Sequence, residues 1–112
     1  MKKINLAATT VAMALVLGAH PVHAAIDDAK AADLMKAGGC SVCHAVDKKL
    51  IGPAYKDVSA KHKGDAGAGA ALEKAVRSGS HDVYGKIPMP PVPASKFSDD
   101  DLHSLVEWIL TK

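Results

Sequence analysis

Two cysteines and a histidine stand close together in the segment GGCSVCHAV, residues 38–46. Cys40 and Cys43 are the only cysteines of the chain, and His44 follows the second directly. Cys-x-x-Cys-His is the attachment signature of c-type haem. Residues three apart share one face of a helical turn, so two thiolates can react with both vinyl groups at one haem edge while His44 binds the iron. The pattern predicts one haem c, covalently held through Cys40 and Cys43.

Other uses of a cysteine pair fit the rest of the chain less well. A disulfide would suit an oxidising compartment, and thioredoxin-like enzymes use the same Cys-x-x-Cys spacing. Those enzymes place the motif beside a parallel sheet, whereas this sequence has no alternating, strand-like run. Structural zinc needs four ligands, and the later histidines are widely spaced: His62, His81 and His103. These alternatives stay open, with haem favoured.

A further iron ligand is expected in the proline-rich segment SHDVYGKIPMPPVPASKF, residues 80–97. Its four prolines restrict the backbone and push each preceding residue out of the helical region. Met89 lies between two of them, as a flexible thioether on a stiffened backbone. Met35 falls on the apolar face of a predicted helix, where core packing is expected. Met89 is therefore the predicted sixth ligand, and a filled coordination sphere indicates an electron carrier rather than an enzyme.

The first residues have the pattern of an export signal. Two lysines precede an uncharged, mostly apolar stretch, residues 6–18, and small or apolar residues lead to Ala24. The apolar stretch is shorter than the roughly 20 residues that span a bilayer. The pattern predicts a cleaved signal peptide, residues 1–24, followed by one monohaem domain, residues 25–112, in the periplasm and without stable membrane insertion.

Composition limits the fold and the partners. The chain has 14 Lys and Arg against 12 Asp and Glu, so loss of the two leader lysines leaves no net charge, and a nucleic-acid partner is not expected. A domain of this size buries a small share of its surface and is only marginally stable by itself. With one Trp, two Tyr and one Phe, it has few large core residues, so a bulky prosthetic group would complete the core. A monomer is expected.

Apolar spacing predicts an all-α fold. Three helices are expected over residues 27–35, 54–61 and 66–77, the last with Ala70, Leu72, Ala75 and Val76 available to a core face. Ser98 is the predicted N-cap of a fourth helix, with Asp101 three residues on. Its apolar residues recur at i, i+3, i+4, i+7 and i+8: Leu102, Leu105, Val106, Ile109 and Leu110.

Three segments together resemble a known family: CSVCHAVDKKLIGPAYKDVSAK, SGSHDVYGKIPMPP and LVEWIL. They are similar to small bacterial class I cytochromes c of the cytochrome c-551/c-552 type, over nearly all of residues 25–112. The resemblance implies the class I cytochrome c fold, with four to five short helices wrapped around one covalently attached haem. It also implies a respiratory electron carrier that docks transiently with membrane or periplasmic redox proteins, such as a terminal oxidase or nitrite reductase.

The resemblance also implies roles for single residues. It makes His44 and Met89 the axial ligands, and it makes the Pro53 carbonyl the acceptor of the second His44 ring N–H. Arg77 and Tyr84 match positions of haem-propionate partners; a solvated arginine and a packed loop tyrosine are equally weighted alternatives. A tryptophan that packs near the haem in the family matches Trp108, for which core packing is also expected.

The chain departs from the family pattern at three places in the proline-rich segment, residues 80–97. Tyr84 stands where tryptophan is frequent, Val92 replaces a polar residue after Met-Pro-Pro, and the stretch VPASKF is longer than usual. These changes affect the expected reduction potential and loop rigidity. A haem sensor or peroxidase-like protein, in which Met89 is labile or absent from the iron, is the alternative function. Five lysines together could steer docking, although each one taken alone is expected to be an ordinary solvated lysine: Lys48, Lys49, Lys61, Lys63 and Lys86.

Overall fold

The computed structural model describes residues 14, 15, 18 and 25–112, and the predicted signal peptide lies outside the described residues except at those three positions. The described part contains four α-helices: α1 (Asp28–Ala37), α2 (Tyr55–Lys61), α3 (Ala68–Ser78) and α4 (Asp99–Leu110). A short 3₁₀ helix, Cys40–Val42, follows α1. Two isolated bridges are the only β-type pairings in this part of the chain. The predicted all-α fold is confirmed.

Side-chain caps fix the starts of the first and last helices. The Asp27 carboxylate accepts a hydrogen bond from the Lys30 backbone N–H at 2.8 Å. Ser98 Oγ accepts one from the Asp101 backbone N–H at 3.1 Å, as its sequence position predicts. Each bond satisfies one of the backbone donors that a helix start leaves unpaired.

Helix α3 begins two residues later than predicted. The Asp65 side chain accepts a hydrogen bond from the Gly67 N–H at 2.8 Å, which holds a turn immediately before the helix. Ala68 is then the buried residue of α3, and Leu72 and Val76 pack against the core at helical spacing. Ala70, predicted for the core face, is exposed. That prediction was wrong because residue 70 lies roughly opposite the 68, 72, 76 stripe around the helix.

Helix α4 is the centre of the core and contacts α1, α2 and α3. Four residues of the predicted stripe are buried, Leu102, Leu105, Val106 and Ile109, and the fifth, Leu110, is partly buried. Trp108, which lies off that stripe, is buried as well. The other helices and the proline-rich loop complete this cluster with Ala31, Leu34, Tyr55, Val58, Val92 and Phe97. Burial of this apolar surface is the main favourable term in folding.

Two polar contacts attach other helices to α4. Ser59 Oγ in α2 donates to the Leu110 carbonyl at 2.8 Å. The Trp108 indole N–H donates to the Asp28 carboxylate of α1 at 2.8 Å, and the Lys112 ammonium lies 4.0 Å from the indole centroid. Within the described residues, no helix is long and apolar enough to cross a membrane.

The charge on Asp28 makes part of the stability pH-dependent. The hydrogen bond from Trp108 lowers the pKa of Asp28, and the Lys112 ammonium lowers it further. A carboxyl group whose pKa is lower in the folded state stabilises the fold above the unfolded value of about 3.9, and that contribution is lost as pH falls through the lowered pKa.

We therefore expect Asp28→Asn, which keeps an acceptor for the indole but removes the charge, to lower the melting temperature at neutral pH. The difference from wild type should shrink in acid and vanish below the lowered pKa. Melting curves of the haem-loaded protein across pH measure this. Asp33→Asn, on an exposed position of α1, is the control and should show no such pH-dependent difference. A pH-independent loss in Asp28→Asn would contradict the assignment.

Candidate functional site

The cysteines and His44 lie in one tight turn after α1. Gly39, at φ 73°, starts the turn in the left-handed region that favours glycine. The Cys40 carbonyl then accepts hydrogen bonds from the backbone N–H groups of Cys43 at 3.1 Å and His44 at 2.9 Å. The turn thus holds the three side chains of the haem-attachment pattern close together along the chain.

Both cysteines are half-buried, and neither forms a disulfide. Burial is the main cause that raises the pKa of Cys40, and the neighbouring Cys43 raises it further against the opposing effect of a backbone hydrogen bond. Two cysteines outside any disulfide at this spacing are the donor set that thioether attachment of haem requires.

The orientation of His44 is set by a hydrogen bond to the chain nine residues later. His44 Nδ1 lies 2.8 Å from the Pro53 carbonyl oxygen. A carbonyl can only accept, so Nδ1 carries the hydrogen and Nε2 carries the lone pair. This is the tautomer in which a histidine can bind iron through Nε2, with its ring direction fixed by the carbonyl.

Two residues pack against the imidazole. A Cβ added at Gly52 would lie 2.6 Å from His44 Cε1 and 2.9 Å from Nδ1, so a side chain there would displace the ring. The Tyr55 ring stacks on His44 with centroids 5.3 Å apart and an interplanar angle of 17°. Trp108 contacts the Tyr55 ring edge-on at 6.1 Å. Trp108 therefore buttresses His44 through Tyr55.

Met89 lies in a loop whose ends are joined by backbone hydrogen bonds. Ser80 and Met89 exchange two backbone hydrogen bonds, of 3.0 and 2.9 Å. Gly79, at φ 79°, permits this close approach, since a Cβ there would lie 2.8 Å from the Met89 carbonyl. The Val92 N–H donates to the Val76 carbonyl at 2.8 Å. The backbone of the half-buried Met89 is thus attached to Ser80, just after α3, and the chain three residues later is attached to Val76 within α3.

Tyr84, in the same loop, has a buried hydroxyl without a hydrogen-bond partner among the described residues. Burial raises the pKa of this hydroxyl, and the nearby Asp57 carboxylate adds to the shift. The Lys61 ammonium lies 5.3 Å from the ring centroid. A buried donor that lacks an acceptor fits a bound carboxylate such as a haem propionate. The predicted propionate contact of Tyr84 stays a prediction.

Arg77, at the end of α3, has partners within the protein. Its guanidinium donates to the Phe97 carbonyl and to the Asp99 carboxylate, each at 2.9 Å, and to the Val92 carbonyl at 3.3 Å. These contacts join α3 to the segment between Met89 and α4. The predicted contact of Arg77 with a propionate stays a prediction.

Large apolar side chains are exposed in the two segments that carry the predicted ligands. Val42, Leu50 and Ile51 belong to the cysteine and histidine side, and Val83 and Ile87 to the methionine side. Their exposed fractions range from 41% for Leu50 to 73% for Val42. Apolar side chains exposed beside the predicted ligands offer a haem, itself a large apolar group, surface to pack on. With the two cysteines, the His44 tautomer and the Tyr84 hydroxyl, these side chains fit a haem.

Three residues that shape the site were missed by sequence reasoning. Gly52 and Tyr55 pack on the His44 ring, and Ser80 closes the Met89 loop, although none of the three belongs to the predicted haem site. The glycine directly before Pro53 was the one available signal, because glycine allows close approach of another group.

The described chain is similar to known proteins over most of its length. The cytochrome c family profile matches residues 29–112. The cytochrome c-551 of Pseudomonas aeruginosa is 49% identical over 79 residues, 70% of this chain and 73% of that protein. The cytochrome c-552 of Nitrosomonas europaea is 44% identical over 80 residues, 71% of this chain and 76% of that protein. The wild-type crystal structure of Nitrosomonas europaea cytochrome c552 aligns with a TM-score of 0.64 at 44% identity, covering 71% of this chain and 96% of that one.

The chain belongs to the cytochrome c family. The helical fold and the relatives make it a small class I cytochrome c, which confirms the family and fold predicted from the sequence. It carries a covalently bound haem c, and it is a small haem-containing electron carrier.

The contact between Gly52 and His44 can be tested by adding one methyl group. We expect Gly52→Ala to push the His44 ring out of position and to destabilise the protein by about 1–3 kcal/mol, the usual cost of overpacking. Denaturant unfolding of the haem-loaded protein measures the stability, and the visible spectrum reports the displaced ligand. Gly69→Ala is the control, since a Cβ there would meet its nearest atom at 3.6 Å. Unchanged stability and spectrum in Gly52→Ala would refute the steric argument.

Proposed function

We propose that this protein is a periplasmic one-electron carrier with His44 and Met89 as the axial ligands of its haem iron. The observation that carries the proposal is the hydrogen bond from His44 Nδ1–H to the Pro53 carbonyl, which leaves Nε2 as the ligating nitrogen. A histidine held in one tautomer and one direction is preorganised for iron. The bound haem supplies one-electron chemistry at its iron.

In this proposal Cys40 and Cys43 hold the haem through thioether bonds. Their turn places His44 directly after the second attachment point, so attachment and axial ligation are set by one short segment. Gly52 and Tyr55 keep the imidazole from rotating between the two oxidation states. Limited ligand movement lowers the reorganisation that accompanies electron transfer.

On the opposite side, Met89 is proposed to bind the iron through its thioether sulfur. Its backbone is held by the paired hydrogen bonds with Ser80, and the prolines beside it restrict the chain further. Methionine ligation raises the reduction potential of haem. With both axial positions filled, no position on the iron is left for a substrate, so we propose that the protein has no enzymatic activity.

The remaining predicted residues support the haem from the protein side. Tyr84 is proposed to donate its buried hydroxyl hydrogen to a propionate. Trp108 is proposed to act by packing, since it holds Tyr55 and, through it, His44. Pro53 acts through its carbonyl. By accepting the Nδ1 hydrogen bond, it raises the electron density of the imidazole ring and makes Nε2 a stronger ligand.

The leader pattern of residues 1–24 supports export to the periplasm, where the haem domain of residues 25–112 would act. The partners in this proposal are membrane or periplasmic redox proteins that dock transiently. Electron-transfer partners of this kind make small, short-lived contacts. The five lysines of the sequence analysis are all exposed and would favour an acidic partner surface.

The ligand assignment predicts a specific optical signature. The oxidised wild-type protein should show the weak long-wavelength charge-transfer band that marks iron bound to methionine sulfur. Met89→Ala should lose this band, and its reduction potential should fall because a thioether favours ferrous iron. Met35→Ala, which removes a methionine packed against the core, is the control and should keep the band.

Two results would redirect the assignment. If the wild type lacks the band and its reduced form takes up carbon monoxide readily, the sixth position is open, and the sensor or peroxidase-like function replaces the carrier. If Met35→Ala rather than Met89→Ala loses the band, the ligand has been assigned to the wrong methionine.

From the exposed lysines we predict that the rate of electron exchange with an anionic partner depends on salt concentration. We expect the rate of electron exchange with ferricyanide, an anionic oxidant, to fall as ionic strength rises. Replacement of Lys49 or Lys86 by glutamine should slow exchange at low salt by about twofold, the effect of one exposed charge. Lys74→Gln, which removes the same charge from α3, is the matched control. Equal effects at all three positions, or a flat salt response, would count against local steering.

A further inference from the structure

Arg77 joins α3 to the end of the Met89 loop and the start of α4, 15 to 22 residues later in the sequence. It is near the C-terminal end of α3, and its guanidinium contacts Val92, Phe97 and Asp99. The side chain is 21% exposed, so its hydrogen bonds are partly shielded from water. Bonds from a charged donor in such a setting are stronger than those between neutral groups.

Two of its acceptors are backbone carbonyls of the loop that follows Met89. Arg77 Nη1 donates to the Val92 carbonyl at 3.3 Å, and Nη2 donates to the Phe97 carbonyl at 2.9 Å. Between Met89 and Val92 the chain has only prolines, which cannot donate a hydrogen bond. This part of the loop therefore has few donors of its own, and Arg77 supplies them from α3.

Asp99 holds the guanidinium in the orientation that these bonds need. Its carboxylate oxygen accepts from Arg77 Nε at 3.1 Å and from Nη2 at 2.9 Å. Asp99 is 88% exposed, so the ion pair by itself contributes little to stability. Its effect is to direct the planar guanidinium, whose remaining N–H groups then point at the two loop carbonyls.

Phe97 extends the connection to the cysteine side of the site. Arg77 Cζ lies 5.2 Å from the centroid of the buried Phe97 ring. The same ring packs on the backbone at Gly38, where an added Cβ would be 2.6 Å from Phe97 Cε1 and 3.1 Å from Cys40 Sγ. Phe97 thus lies between Arg77 and the turn that starts the attachment segment.

We propose that Arg77 is a positioning residue that keeps the Met89 loop closed and so keeps the Met89 sulfur on the iron. The proposal rests on the proposed function, since it assumes that Met89 is the sixth ligand. It assigns Arg77 a role that differs from the expected propionate contact. The four hydrogen bonds to Val92, Phe97 and Asp99 engage most of the five N–H groups of the guanidinium.

The proposal is tested by the rate at which added imidazole displaces the methionine from the oxidised protein. When loop opening is in rapid equilibrium, this rate is proportional to the fraction of open molecules. We expect Arg77→Met, which keeps an apolar stem without donors, to accelerate imidazole binding by about tenfold or more. Losing even one charge-assisted hydrogen bond has about this effect, and the variant loses both bonds to the loop carbonyls. Arg77→Lys, which keeps the charge but not the planar fork, should give a smaller acceleration.

A matched control separates loop opening from general destabilisation. Ser59→Ala removes the hydrogen bond to Leu110, between α2 and α4, and lowers the overall stability away from the loop. It should leave the imidazole rate nearly unchanged. If Ser59→Ala accelerates binding as much as an Arg77 variant of equal stability, or if neither Arg77 variant accelerates it, the positioning role is refuted. A wild type without the methionine band would overturn the assignment of Met89 as ligand. That result is distinct from the two outcomes that refute the role of Arg77.

Discussion

The hydrogen bond from His44 to the Pro53 carbonyl is the contact on which the site depends. It selects the tautomer, and it sets the direction of the nitrogen that faces the iron in the proposed function. The surrounding residues support that orientation: Gly52 lies close to the ring, and Tyr55 stacks on it. Because Trp108 holds Tyr55 and α4 holds Trp108, the packing of the core is transmitted directly to the imidazole.

The two sides of the site are constructed differently. The cysteine and histidine side is a local turn, closed by hydrogen bonds to the Cys40 carbonyl. The methionine side is a long loop without regular secondary structure, whose prolines restrict the backbone but remove donors. Such a loop needs hydrogen-bond partners from outside itself, and the end of α3 provides them. Arg77 donates to loop carbonyls, and the Val76 carbonyl accepts from the Val92 N–H. The inferred role of Arg77 follows from this shortage of donors.

Departures from the family pattern acquire a physical meaning in the structure. The sequence marks Val92 as the loss of a polar side chain near Met89, whereas in the fold this residue is buried with the core cluster. Its backbone N–H and carbonyl are bonded to Val76 and Arg77. The loop is thus anchored here by apolar packing and main-chain contacts rather than by a polar side chain. The stretch VPASKF ends at Phe97, which returns the chain to the core.

The sequence by itself determined the features that depend on near neighbours. The spacing of Cys40, Cys43 and His44 defines one turn, and Ser98 defines the start of α4, because each pattern is satisfied within a few residues. Only the tertiary structure decided which groups meet across longer separations. Arg77 and Phe97, which meet in the fold, are 20 residues apart. Ala70 is exposed, although an alanine in this helix would suit a core position. Such outcomes depend on the relative placement of whole helices, because a side chain finds distant partners only after the core around α4 has formed.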